Sequence, residues 1–199
     1  MDSKDVTIQL HDVPKGHVAT IVTHLEMLEK PPQPETSSSL TLASWAKPDV
    51  DDYDALFRLV GEPWLWISRL LLDRDELATI IHDPGVDISI IRDGTEPVGF
   101  IELDFRIPDQ CEIAFFGLIP GYNGKGHGHW MMTHALEKAW RHDIERVWLH
   151  TCTHDSPRAL PFYQNCGFRI FAQEIGMMAD PRLSGHMPKS AAPHIPILG

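Results

Sequence analysis

Four glycines fall within eight residues between Gly121 and Gly128, in the segment Pro120-Gly121-Tyr122-Asn123-Gly124-Lys125-Gly126-His127-Gly128. The run Cys111 to Ile119 before it is mostly apolar and reads as a central strand. Behind it, Met131, Met132, Ala135, Leu136, Ala139 and Trp140 recur as one broad helical face, with Thr133, Glu137, Lys138 and Arg141 outward. Strand, glycine loop and amphipathic helix in succession form an anion-binding arrangement. The first amides of a helix lack intrahelical partners and carry partial positive charge. Glycines let the backbone approach a diphosphate without help from side chains. Two common phosphate loops do not fit: no Lys-Ser/Thr follows Gly126, and the spacing Gly124-x-Gly126-x-Gly128 is not the dinucleotide G-x-G-x-x-G.

The rest of the chain supplies an antiparallel frame. Val86 to Ile91 and Val98 to Ile107 read as strands around a turn at Asp93-Gly94, and Arg146 to Cys152 and Gly167 to Ala172 as two more. Ser39 to Trp45 also suggests a strand. Helices are expected after Asp49, Asp51 and Asp52, with Leu56, Phe57 and Val60 buried, then from Arg74 to His82 and from Ser156 to Gln164. Before these, Val6, Ile8 and Leu10 alternate as a short strand, and Val18, Ile21, Val22, Leu25 and Leu28 recur with helical period. Residues 1–35 are therefore read as a strand-helix extension ending in a Pro/Ser-rich linker, 36–180 as the main domain, and 181–199 as a surface tail.

Several function classes are disfavoured. The chain has 199 residues and a net charge of -11, which argues against a nucleic-acid partner. No apolar run approaches the length of a spanning helix, so no membrane segment is expected. The opening MDSKDVTIQLHDV lacks a basic-then-apolar pattern, and a cytoplasmic location is expected. Cys111, Cys152 and Cys166 form no C-x-x-C pair and read as free thiols. The histidines complete no zinc pattern, and no metal is expected.

The loop resembles the acyl-CoA signature [RQ]-x-x-G-x-[GA] of the GNAT acetyltransferase superfamily, with Asn123 where Arg or Gln is usual. Ser156 to Phe168 is similar to the family's N-x-x-A-x-x-[FL]-Y-x-x-x-G-F segment: Ala159, Phe162, Tyr163, Gly167 and Phe168 match, and Ser156 replaces Asn. The segments Gly61 to Trp66, Phe116 to Pro120 and Val147 to Asp155 also resemble one bacterial branch. The resemblance implies an α/β fold of the α+β type, with a mixed, mostly antiparallel, twisted sheet flanked by helices. It also implies an enzyme that moves an acetyl group from acetyl-CoA to a primary amine, here expected to belong to a small molecule. A non-catalytic acyl-CoA-binding module and a protein or peptide N-acetyltransferase are the alternatives, and a homodimer is expected because similar proteins often dimerise.

The same resemblance implies site roles. The cofactor would lie between splayed strands against Leu118 and Ile119, with its diphosphate on Asn123, Gly124, Lys125, Gly126, His127 and Gly128, and with Ser156, Ala159 and Tyr163 alongside. The Leu118 amide would polarise the thioester carbonyl, and Tyr163 would protonate the leaving thiolate. Glu112 is the candidate base, since it interrupts an apolar strand, and a solvent-facing or ion-paired role is its alternative. Trp64, Trp66, Arg69 and His150 are candidates for the acceptor side; His150 is also the second candidate base after Glu112, with a hydrogen-bonded core histidine as its alternative. Packing is the competing role for both tryptophans, and Glu62 is a candidate partner for Arg69.

Overall fold

The computed structural model describes residues 8–199 apart from 33 and 142. Among these residues one sheet holds seven strands: β1 (His17–Met27), β2 (Thr41–Ser44), β3 (Val86–Asp93), β4 (Glu96–Asp104), β5 (Gln110–Leu118), β6 (Arg146–Cys152) and β7 (Arg169–Ala179). Their spatial order is β2-β3-β4-β5-β6-β1-β7, and neighbours are antiparallel except β5 and β6. The helices are α1 (Val50–Gly61), α2 (Arg74–Ile81), α3 (His127–Ala139) and α4 (Ala159–Asn165), with a 3-10 turn at Glu62–Trp64. This is the mixed, mostly antiparallel α+β sheet with flanking helices that the resemblance implies. None of the described helices is long and apolar enough to cross a membrane.

Local chemistry sets the helix starts. Asp49 accepts the amides of Asp51 and Asp52 at the head of α1, and Asp73 and Glu76 form a reciprocal capping box on α2. Tyr53, Leu56, Phe57 and Val60 of α1 pack with Ile88, Ile90 and Phe100 on one side of the sheet. Met131, Met132, Ala135 and Leu136 of α3 pack with Leu25, Leu103, Val147 and Leu149 on the other. Parallel strands need a long crossover. Here it contains the glycine loop and α3, which places the loop at the C-terminal end of β5.

Three expectations are corrected. Residues 17–27 are not a helix: they form β1, inserted between β6 and β7 with Val22 opposite Cys152 and Ile21 opposite Ile175. The helical spacing arose because β1 lies inside the sheet and buries residues on both faces. The β-branched run Val18, Thr20, Ile21, Val22 and Thr23 was the stronger signal. Of the short strand read at Val6 to Leu10, Val6 lies outside the described residues, while Ile8 and Leu10 are exposed in irregular chain. The C-terminal tail is not merely superficial, because Arg182, Met187, Ala191 and Ala192 are buried and the last three join the α1 core.

Candidate active site

β5 and β6 pair only at Gln110–Arg146, Cys111–Val147 and Glu112–Trp148. Beyond Glu112 they part. The β4 register steps from Leu103–Ile113 to Glu102–Phe115, so Ala114 is an extra residue and the bulge bends β5 away. A cavity of about 640 Å³ occupies the gap, within the range of small-molecule sites. β5 contributes residues 113–118 to its wall, β6 contributes His150 and Cys152, and β1 contributes Thr20 and Val22.

Register decides which amides face this cleft. The Ile119 N–H donates to Val98 O at 2.9 Å. Bonded and non-bonded pairs alternate along an antiparallel ladder, so the Gly99–Leu118 pair is non-bonded and the Leu118 amide points away from β4. It is turned toward β6, which no longer pairs there. Ile119 is packed in the core with its amide engaged, and it does not line the cavity. Gly117 must be small because a side chain there would lie 2.5 Å from Val60 Cγ1.

The loop beyond β5 is open. Gly124 and Gly126 have φ of 77° and 89°, in the left-handed region that favours glycine. Among the described residues, no protein acceptor engages the amides of Asn123, Gly124 or Gly126, and Gly126 caps α3 without a side-chain bond. Asn123, Gly124, Gly126 and Gly128 line the cavity, together with Ser156, Ala159 and Tyr163. Lys125 and His127 point elsewhere: Lys125 sits over the Tyr122 ring at 5.1 Å, and His127 Nδ1 bonds Ser38 Oγ at 2.8 Å. The sequence reading missed Arg158, which lines the cavity and brings its guanidinium over Gly124. Its signal was present, as Arg158 is the single cation in the segment from Ser156 to Phe168.

Tyr163 stands edge-on to Phe116 and Phe162. Among the described residues, none bonds its hydroxyl. Burial, then the Asp155 carboxylate, then Cys166, push the phenol well above its ordinary pKa, so it stays protonated. Glu112 does not line the cavity. Its Oε1 lies 3.3 Å from His150 Nδ1, and His150 does face the cavity. The Glu112 hydrogen bond raises the His150 pKa, against burial that lowers it.

Trp64 and Trp66 both line the cavity. Trp66 also packs against Phe57 and Phe115 and donates its Nε1–H to Asp155 at 3.2 Å. Asp155 in turn accepts Thr151 Oγ1 and the Cys152 amide. Arg69 is not at the cavity wall. It pairs with the fully buried Glu102 at 2.5 Å rather than with Glu62, and Tyr53 donates to the same carboxylate. Among the described residues, no three His, Cys, Asp or Glu side chains are placed to hold a metal ion.

No curated protein sequence matches the chain. Its fold is similar to that of a GCN5-related N-acetyltransferase from Kribbella flavida (18% identity, TM-score 0.53), with 85% of this chain and 63% of that one covered. It is also similar to an acetyltransferase from Thermus thermophilus (18% identity, TM-score 0.52), covering 70% of this chain and 97% of that one. A third similar fold is an aminoglycoside acetyltransferase from an uncultured soil metagenomic sample (16% identity, TM-score 0.53), covering 64% of this chain and 87% of that one. The chain thus spans under two thirds of the length of the Kribbella protein. Residues 51–168 match the model of the acetyltransferase (GNAT) family, and with more than half of its length so matched the chain belongs to that family.

Proposed function

We propose that this acetyltransferase takes its acetyl group from acetyl-CoA and delivers it to the primary amine of a small molecule with an apolar or aromatic body. One observation carries the proposal: a single cleft runs from the unpaired loop amides at Gly124 and Gly126, along the Leu118 amide, to His150. Acetyl-CoA, when bound, supplies the activated acetyl thioester. The loop amides and Arg158 hold its diphosphate. Free amides at a helix start together with a guanidinium match that charge.

The Leu118 amide polarises the thioester carbonyl, and one such donor contributes about 3 kcal/mol. His150, backed by Glu112, removes a proton from the acceptor ammonium so that a lone pair is available. Tyr163, held protonated, gives a proton to the departing sulfur. Transfer is direct, because burial raises the pKa of Cys111, Cys152 and Cys166, and none is an activated nucleophile.

The acceptor end in this reading is the part of the cavity lined by Trp64, Trp66, Phe115 and Met178, with Thr20 and Val22 of β1 alongside. A wall of strand on that side favours a small amine over a peptide. The test is release of CoA thiol from acetyl-CoA with 2-phenylethylamine and tryptamine, beside an aminoglycoside and a lysine peptide. Turnover confined to the arylalkylamines supports the reading. Absence of thiol release with every amine, or of heat on titrating CoA, overturns it.

A further inference from the structure

Four titratable side chains stand in a line across four adjacent strands on the cavity face of the sheet. Glu112 of β5 meets His150 of β6 at 3.3 Å. His150 lies directly opposite His24 of β1, with ring centroids 6.0 Å apart. His24 Nε2 meets Glu174 Oε2 of β7 at 3.2 Å. The line meets the cleft at His150 and ends in water, since the Glu174 side chain is 71% exposed. Other groups border it: Asp155 acts on His150, Phe171 packs on His24, and the Glu26–Arg146 pair lies one row away with Arg146 over Phe171. We propose that His24 and Glu174 complete a proton exit, passing the acceptor's proton from His150 across the sheet to solvent.

The inference rests on the acetyl-transfer reading above. An alkylammonium and a thioester yield an amide, a thiol and one free proton. The C–N bond forms and the C–S bond breaks; nitrogen loses two protons, one of which replaces the proton that Tyr163 gives to sulfur. The other must leave. His150 faces the cavity on one side and His24 on the other, so an exit that avoids an acceptor seated in the cavity runs through His24. Glu112 and His150 fall within the family-matched residues 51–168, whereas His24 and Glu174 lie outside them. The N-terminal strand thus adds to the site something that the matched segment does not contain. His24 and Glu174 act through His150, as positioning and relay residues.

The experiment compares the full-length protein with His24→Asn and Glu174→Gln, using acetyl-CoA and 2-phenylethylamine. Each variant is expected to lose about 10-fold in kcat, at the low end of proton-transfer effects, with the KM for acetyl-CoA unchanged and a larger solvent deuterium isotope effect. Added imidazole restores His24→Asn. Unchanged kcat and isotope effect, or a loss that imidazole does not restore, overturns the proposal. An NMR titration of the His150 ring needs no acceptor. In His24→Asn the titration of the His150 ring is expected to move, because the neighbouring ring it faces has gone, and an identical titration overturns the line. Failure of the wild-type protein to acetylate any amine overturns the acetyl-transfer reading instead, while the titration still judges the coupling.

Discussion

A phenol that burial keeps protonated can only donate, so Tyr163 is testable by removing one oxygen. Tyr163→Phe is expected to lower kcat by about 10–1000-fold, with the acetyl-CoA dissociation constant little changed, as read by steady-state kinetics beside calorimetry. Arg158 works differently. Its guanidinium lies over Gly124 in an exposed position, so Arg158→Ala should raise the acetyl-CoA KM by about 3–30-fold, from the range of an ordinary hydrogen bond to the lower part of that for bonds to charged groups, and leave kcat near wild type. The pH dependence follows from Glu112. A base must be neutral, so kcat/KM rises as pH climbs through the His150 pKa. The Glu112 hydrogen bond holds that pKa up, and in Glu112→Gln the acid limb of the profile should move to lower pH. The glycines and Tyr163 were legible in the sequence because local spacing states their backbone and motif. The pairs Glu112–His150 and Arg69–Glu102 were not, since strand register brings the first together and the folding of the segment between α1 and α2 onto β4 brings the second.

Among the elements, β1 separates what pattern reveals from what it hides. The helices α1 to α3 and strands β3 to β6 could be read with few shifts at their ends, because α1 and α2 start at side-chain caps, α3 follows the glycine loop, and the strands are short apolar runs bounded by turn residues. β1 has neighbours on both edges and side chains in two cores, with Val18 in the α1 core and Leu25 and Met27 in the α3 core. A fully internal strand loses its clean alternation, and five apolar residues then fit a helical template by accident. Strand geometry sets residues i and i+2 on one face. Leu25→Ala and Met27→Ala should therefore each destabilise the protein by about 2–5 kcal/mol in urea unfolding, while Ile21→Ser at an exposed position should cost under about 0.5 kcal/mol. A helix could not bury both Leu25 and Met27 on one face, so a small effect at either site would contradict the insertion of β1.

For the molecule as a whole, the C-terminal tail closes the structure beside the cavity wall at Trp64. Arg182 Nε and Nη2 donate to Asp180 at 2.9 and 2.8 Å, and its Nη1 donates to the carbonyls of Ala191, Ala192 and Ile195. Gly16 donates to the carbonyl of Leu198 while Asp180 donates to that of Gly16, joining the tail to the start of β1. His194 then rests edge-on to Trp64 at 5.9 Å and bonds the His154 carbonyl beside the cavity. Asp180 and Arg182 are 1% and 3% exposed. Removing one member leaves a buried charge alone, so Arg182→Met should cost about 3–5 kcal/mol. The double variant Asp180→Asn/Arg182→Met should recover much of that loss. The Arg182 hydrogen bonds hold the Asp180 pKa below its ordinary value. The stability this pair provides is therefore complete above the ordinary carboxylate pKa and is lost as pH falls through the lower folded value. Urea midpoints measured against pH should fall on the acid side for the wild-type protein and fall less for the double variant. Equal acid slopes in both would show that the clamp does not govern acid stability. Because the same tail seats His194 against Trp64, any variant that loosens it should raise the KM for 2-phenylethylamine more than that for acetyl-CoA.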